Sequence, residues 1–422
     1  MLFVVSFELT VLLPVAKLFL MVLLAILLVD GLLLFRVQKG IYARRICPDK
    51  LSNGDENELQ IYLENYYNFR IHLSVIDELP PQFQKRDLHF DLTIKGRATK
   101  ILNYHVRPVK RGEYVFGAVN VFVSSDLGLI SRRFKFSQDK MVPVYPSFIQ
   151  MMKYELLAIS NHLKEFGIKK IRRVGHSMEF EHIKEYVVGD DYRTVNWKAT
   201  ARRGTLMVNN YQDEKSQQVF CLIDKGRVMK MPFEGMTLLD YAINASLAMA
   251  NIAIKKDDKA GLITFQHKIN AIVPASKRGA QMYHIMETLY NQKTGYQESD
   301  YSVLYNTVKY KITHRSLLIL FTNFETVSSM ERQMPYLKKL AREHLLVVIF
   351  FENTTLTSLT GIRPGNIEEV YKKTIAEKFV FDKKLIVKEL KAHGIQTVLT
   401  APENLTVNTI NKYLELKARG LI

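Results

Sequence analysis

The chain is poor in cysteine. Cys47 and Cys221 are its two, in 422 residues, too few for a disulfide scaffold or a four-thiolate zinc site. Tryptophan is scarcer still, with Trp197 alone. Acidic residues are outnumbered, 42 Asp and Glu against 59 Lys and Arg, for a net charge of +17 with histidine neutral. The sequence has no P-loop, no GxGxxG and no HExxH, which sets aside the nucleotide-binding and zinc-protease classes those motifs mark. Gly175-His176-Ser177 begins like a nucleophile elbow, but Glu179 stands where the closing glycine belongs. Extensive disorder is also excluded, because 47% of the residues are hydrophobic. At ~150 residues per domain the length allows two or three domains. The positive excess calls for an acidic partner: nucleic acid, an anionic membrane face or an acidic protein.

Charge is nearly missing from residues 2–35, which hold only Glu8, Lys17 and Asp30. The apolar run Val15–Phe35 is long enough to cross a hydrocarbon core of ~30 Å. Lys17 can snorkel at one end and Asp30 can reach the interface near the other. The run is too long for the core of a signal peptide, and no small-residue cleavage site follows it. Arg36, Lys39, Arg44 and Arg45 come directly after it with no acid among them. The positive-inside rule therefore places the following ~380 residues in the cytoplasm. Residues 2–13 are apolar but short and are followed by Pro14, so the anchor is one crossing or a two-helix hairpin.

Residues 46–147 alternate with period two. Leu59, Ile61 and Leu63, then Ile71, Leu73 and Val75, then Leu88, Phe90, Leu92 and Ile94, then Val119, Val121 and Val123 mark half-buried strands. Turn residues separate them, as in Ser52-Asn53-Gly54-Asp55 and Asp126-Leu127-Gly128. Seven or eight such strands predict an antiparallel β-sandwich of immunoglobulin size. Residues 148–217 are less regular, with a helix expected over Tyr154–Phe166 and a basic run at Lys169, Lys170, Arg172 and Arg173. From 218 to 422 short apolar runs alternate with helical patterns. The runs are Val219–Ile223, Ala260–Phe265, Ser316–Phe321, Leu345–Phe351 and Gln396–Leu399. This predicts a doubly wound, mostly parallel α/β sheet. Ligands of such sheets bind beyond the carboxyl ends of the strands, which singles out Asp224 and Thr322-Asn323.

Glu179–Arg203 packs acids and bases around the lone tryptophan. Such a segment can be a self-satisfying ion-pair network that pins a loop, or a docking surface. Asp190 and Asp191 as an acid/base pair are disfavoured, because adjacent side chains seldom aim at one point. His176, Glu179, Glu181 and His182 match no defensible zinc spacing. Cys221, inside an apolar run, is a core residue. The basic run lacks interleaved aromatics, so nucleic acid is not the expected partner; anionic lipid is more economical beside a membrane anchor.

The stretch GDDYRTVNWKATAR, followed by a strand ending in Asp, resembles the bacterial membrane proteins of the domain of unknown function fifty-eight family. The signature falls on Gly189, Asp190, Asp191, Arg193, Trp197, Lys198, Ala201 and Arg202, with Glu185, Tyr186 and Asn196 beside it. The resemblance runs over nearly the whole chain. It implies membrane helices, a β-rich region and a von Willebrand factor A-like domain, in the inner membrane of a bacterium. It also implies partnership with MoxR-type AAA+ ATPases and other von Willebrand A-domain membrane proteins, without an established enzymatic activity or a cofactor. An A-domain adhesion site needs Asp-x-Ser-x-Ser, a threonine and a later Asp as oxygen donors to Mg²⁺. Here the first loop reads Asp224-Lys225-Gly226-Arg227-Val228, and the later position is Asn323. Gly226 and Val228 replace both serines. The expectation is a degenerate site without tight Mg²⁺ binding, Arg227 or Lys225 standing where the metal would be. The rival functions are a metal-dependent hydrolase using Asp190 and Asp191, and nucleic-acid binding.

Overall fold

The computed structural model describes residues 13–84, 88–159, 179–188, 190, 192–212, 216–361 and 364–422. Most of the first apolar stretch, the basic run 169–173, His176, Gly189 and Asp191 lie outside them. The chain forms two compact units that divide between Ser147 and Phe148.

The first unit begins with helix α1, Leu13–Phe35. Its aliphatic side chains face outward along most of its length, and it is long and apolar enough to cross a membrane. Its last turns are built into the strands that follow. Leu34 is fully buried in the core of the unit. Tyr67 donates its hydroxyl to the Leu34 carbonyl at 2.8 Å. The Arg132 guanidinium donates to the carbonyls of Leu34 and Val37 at 2.7 and 2.8 Å, satisfying acceptors that a helix end leaves open.

Among the described residues ten strands follow: β1 Ile41–Ile46, β2 Leu51–Ser52, β3 Asn57–Asn65, β4 Ile71–Asp77, β5 His89–Ile94, β6 Thr99–Val106, β7 Gly112–Phe116, β8 Val119–Ser124, β9 Ser131–Phe136 and β10 Lys140–Tyr145. They make three sheets, ordered β1-β3-β6, β2-β10-β7 and β5-β4-β8-β9. All pairings are antiparallel except β2 with β10. The period-two pattern decides which face is buried. Leu59, Ile61 and Leu63 of β3 meet Ile71, Leu73 and Val75 of β4 and Val119, Val121 and Val123 of β8 in one apolar core. Inside this unit Arg45 is buried with its Nε 3.0 and 3.1 Å from the Asp77 carboxylate. Tyr104 also donates to Asp77, so a buried charge is both paired and hydrogen-bonded, as burial requires.

The second unit opens with α2, Phe148–Ile159, which begins earlier than the helix expected over 154–166; residues 160–166 of that expectation lie outside the described residues. A hairpin of β11 (Glu179–Glu185) and β12 (Met207–Gln212) follows, with the short helix α3 (Trp197–Arg203) in its connection. The main sheet then starts at β13, Gln218–Asp224. A small antiparallel pair, β14 Pro232–Phe233 and β15 Met236–Thr237, leads into α4, Leu238–Lys255. Thr237 and Asp240 close a reciprocal capping box at its start. The remaining strands are β16 Lys259–Phe265, β17 Ile269–Ser276, β18 Leu317–Phe321, β19 Leu345–Phe351 and β20 Gln396–Thr400. The remaining helices are α5 Gln281–Tyr290, α6 Tyr301–Lys311, α7 Val327–Glu343, α8 Thr354–Thr360, α9 Ile367–Ala392 and α10 Leu405–Ala418.

The six-stranded sheet runs β17-β16-β13-β18-β19-β20. It is parallel except for the edge strand β17, which pairs antiparallel with β16. The sequence reading held neither β17 nor α6. The four inner strands β16, β13, β18 and β19 are almost wholly apolar because both their faces are covered. Along β13, Val219, Cys221 and Ile223 join the core that includes α4 and α10. Phe220 and Leu222 join the opposite core with α6, α7 and α9. The chain leaves β13 to one side for β16 and later returns on the other side for β18. The carboxyl ends of these two neighbours form the switch point, where open α/β sheets place their ligands.

Candidate functional site

Asp224 is the last residue of β13 and is buried at the switch point. Its carboxylate is surrounded by neutral donors. Gly226 N–H reaches Oδ1 at 2.8 Å, and Ser299 donates its hydroxyl to the same oxygen. Thr322 Oγ1 donates to Oδ2 at 2.7 Å, and Tyr301 lies 3.4 Å from that oxygen and 2.7 Å from Thr322 Oγ1. Burial pushes the Asp224 carboxyl up, opposed by these hydrogen bonds. Gly226 has a steric reason to lack a side chain, because a Cβ there would collide with Ser299 Oγ. Glycine at this position is the condition for the Ser299 contact.

Thr322 and Asn323 follow β18. The Asn323 side-chain carbonyl accepts from Lys383 of α9 at 2.6 Å, and the same ammonium donates to the Phe324 carbonyl at 2.6 Å. Burial pushes the Lys383 amine down to about 8, and nearby Glu325 opposes that shift. The cation anchored beside Thr322 thus comes from α9. Lys225 and Arg227 lie one and three residues beyond Asp224, on the loop that leaves β13. Arg227 lines a cleft of about 210 Å³ together with Asp224, Val228, Ser299, Asn323 and Arg332. A second cleft of about 280 Å³ adjoins it through Asn323 and Glu325. Phe233, Phe351, Leu356 and Phe379 give that cleft apolar walls, and Lys383 lies on its side.

The donor set is a poor match for a Mg²⁺ adhesion site. Gly226 and Val228 supply no hydroxyl, both Asp224 oxygens are taken by protein donors, and the Asn323 oxygen is taken by an ammonium. A hard cation that needs several oxygens at ~2.1 Å is not served by that arrangement. Ser299, Tyr301 and Lys383 were missed in the sequence, where they lie 75, 77 and 159 positions beyond Asp224 with no motif to join them.

The signature segment is framed by hydrogen bonds and presents its apolar side chains outward. The Asn196 side chain accepts from Ala199 N–H at 3.0 Å and caps α3, and it donates to Asn209 at 2.8 Å. Gly204, with φ +73°, ends that helix in the left-handed conformation. Thr200 Oγ1 accepts from Met207 N–H at 3.0 Å. Asp190 accepts from Lys184 Nζ at 2.8 Å and from Val187 N–H at 3.0 Å. Those two bonds hold its carboxyl below the usual range, which weakens it as a base. Trp197 is 71% exposed, so the segment is not a network closed over its tryptophan. Val187, Val188 and Tyr192 are exposed as well. Glu185, Arg193, Lys198, Ala201 and Arg202 share the surface, and Tyr186 is half-buried.

The fold and these sites define a class: an apolar N-terminal helix joined to a β-rich unit, and an α/β unit with a hairpin ahead of its first core strand. A family model described as "Protein of unknown function DUF58" matches residues 182–355. The match runs from the hairpin to α8 and is narrower than the nearly whole-chain likeness read from the sequence. The uncharacterized protein YeaD of Bacillus subtilis is 25% identical over 260 residues, 58% of this chain and 61% of that protein. The matched stretch thus spans about three-fifths of the curated relative's length. Among solved structures, BatB from Bacteroides thetaiotaomicron aligns with 48% of this chain and all of that chain, at 11% identity and a TM-score of 0.32. PapD-like domain 7 of human CEP192 aligns with 26% of this chain and 87% of that one, at 12% identity and a TM-score of 0.21.

Proposed function

We propose that this protein is a membrane-anchored docking component with its bulk in the bacterial cytoplasm, serving a MoxR-type AAA+ ATPase system together with other von Willebrand A-domain membrane proteins. The observation that carries the docking role is the exposed Trp197 on a hydrogen-bonded frame, in a segment that also exposes Tyr192, Val188 and the cations Lys198 and Arg202. Aromatic and arginine side chains dominate binding energy at protein interfaces, and a pre-ordered frame limits the entropy lost on binding. We read the first unit as a β-sandwich spacer and the second as a von Willebrand A-like domain. The strand order and the position of Asp224 after the first core strand support that second reading. Its metal site is degenerate and filled by protein donors.

The anchor reading is supported by the way α1 ends. A cleaved signal sequence would leave the folded domain whole, whereas removing this helix would take Leu34 out of the core and the Asp30 carboxylate from its donors. Arg36, Lys39, Arg44 and Arg45 after the helix support a cytoplasmic bulk. The test is a pull-down of the detergent-solubilised full chain with a MoxR-type ATPase from the same genome. Capture of the wild type and loss of capture by Trp197→Ala with Tyr192→Ala is expected. A doubly substituted protein that folds normally and binds like wild type would refute the assigned surface.

A further inference from the structure

Asp30 lies five residues before the end of α1, which at 1.5 Å per residue is about 7 Å below the helix end. A carboxylate at that depth in a bilayer must be satisfied by protein. The turn between β8 and β9 does this. Ser125 donates its hydroxyl to Asp30 Oδ1, and the backbone N–H groups of Leu129 and Ile130 donate to Oδ2 at 3.1 and 2.9 Å. Gly31 lets the turn come close, since a Cβ there would meet Ile130 Cδ1 at 3.3 Å. The turn is therefore fixed to the helix at the depth of Asp30. Yet its own Leu127 and Leu129 are 51% and 47% exposed. Leu32, Leu33 and Phe35 of the same helix end are exposed too. Asp126, the one acid at the tip, is turned to Arg70 and His72, at 2.9 and 3.0 Å. Arg132 bonds to the carbonyls that follow the helix and lies over the Phe35 ring.

We propose that the Ser125–Ile130 turn is a second membrane contact, with Leu127 and Leu129 inserted at the boundary of headgroups and acyl chains beside α1. The occupant of this apolar surface is lipid, because the surface continues the outward face of the helix and is bonded to it at a fixed depth. The insertion seats the first unit at the bilayer and keeps the helix from turning about its axis. The inference rests on the reading of α1 as a membrane anchor.

The experiment reconstitutes the full chain, with Cys47 and Cys221 changed to serine, into phosphatidylethanolamine and phosphatidylglycerol vesicles. Single cysteines replace Leu127, Leu129, Val22 or Tyr310 and carry an environment-sensitive fluorophore. Val22 reports on the helix, and exposed Tyr310 on α6 reports on the aqueous side. Probes at 127 and 129 are expected to shift to the blue and to be quenched severalfold more than that at 310 by lipid spin-labelled near the headgroup. Quenching at 22 by lipid spin-labelled deep in the acyl chain, with none at 127 and 129 by either lipid, would overturn the insertion while leaving the anchor standing. No quenching at 22 either would overturn both. Protection of 127 and 129 from a water-soluble thiol reagent, without quenching, would assign the surface to protein and also overturn the proposal.

Discussion

Lys383 is the residue with the clearest pH signature. The folded chain holds its amine at about 8 against an ordinary 10.5. Between those values the unfolded chain binds more protons than the folded one, so stability contributed through this group rises with pH across that window. Below about 8 both states are protonated and the full cost of burying the ammonium is present. The stability of wild type relative to Lys383→Met, from denaturant unfolding in detergent, is expected to rise from pH 8 to 10.5 by less than about 1.4 kcal/mol per pH unit. A flat difference would show that the amine titrates normally. Gly226 is a second sensitive residue. Its replacement by alanine must displace Ser299 from Asp224, and a loss of about 1–3 kcal/mol in the same assay is expected. The thiols should be quiet. Burial raises Cys47 to about 11 and Cys221 to about 12, so at pH 8 the folded chain is expected to react with a thiol reagent far more slowly than the urea-unfolded chain.

Elements were legible in the sequence to the extent that their pattern is local. Alternation located β3, β4 and β8 because each buries one face. The fully apolar runs located β13, β16, β18 and β19 because both faces of the main sheet are covered. The edge strand β17 was missed. An edge strand with half its residues partly exposed carries neither pattern cleanly. α6 was missed because its buried residues, Tyr301, Leu304 and Val308, are few and sit among polar neighbours. Polar cores are equally non-local. Arg45 on β1 meets Asp77 at the end of β4, and nothing near either position announces the pair. Asp77→Ala would strand the buried guanidinium and is expected to lower stability by about 3–5 kcal/mol, read from the shift of the unfolding midpoint at unchanged slope.

For the whole molecule, the consequence of greatest reach is that α1 is part of the first unit rather than a detachable tether. A chain beginning at Lys39 loses Leu34 from the core and the Asp30 acceptor of Ser125, Leu129 and Ile130. It is expected to be less stable than one beginning at Leu28 by about 2–5 kcal/mol, in a comparison of the two soluble forms by urea unfolding. Equal stability would show that the helix end contributes nothing to the fold. The net charge of +17 also acquires places. Four cations follow α1, and others line α3 beside Trp197.

The amino-acid order by itself determined the apolar helix, the alternating strands, the parallel core and the location of Asp224 and Thr322 at strand ends. Those properties depend on hydrophobic period, which neighbours in sequence set. Tertiary structure alone decided what surrounds them. Ser299, Tyr301 and Lys383 reach the Asp224–Asn323 edge from distant loops and a late helix, Asp30 finds its donors about a hundred residues away, and Trp197 is left in solvent. A hydrogen bond depends on position to within tenths of an ångström, and a linear pattern carries no information at that scale between segments brought together only by folding.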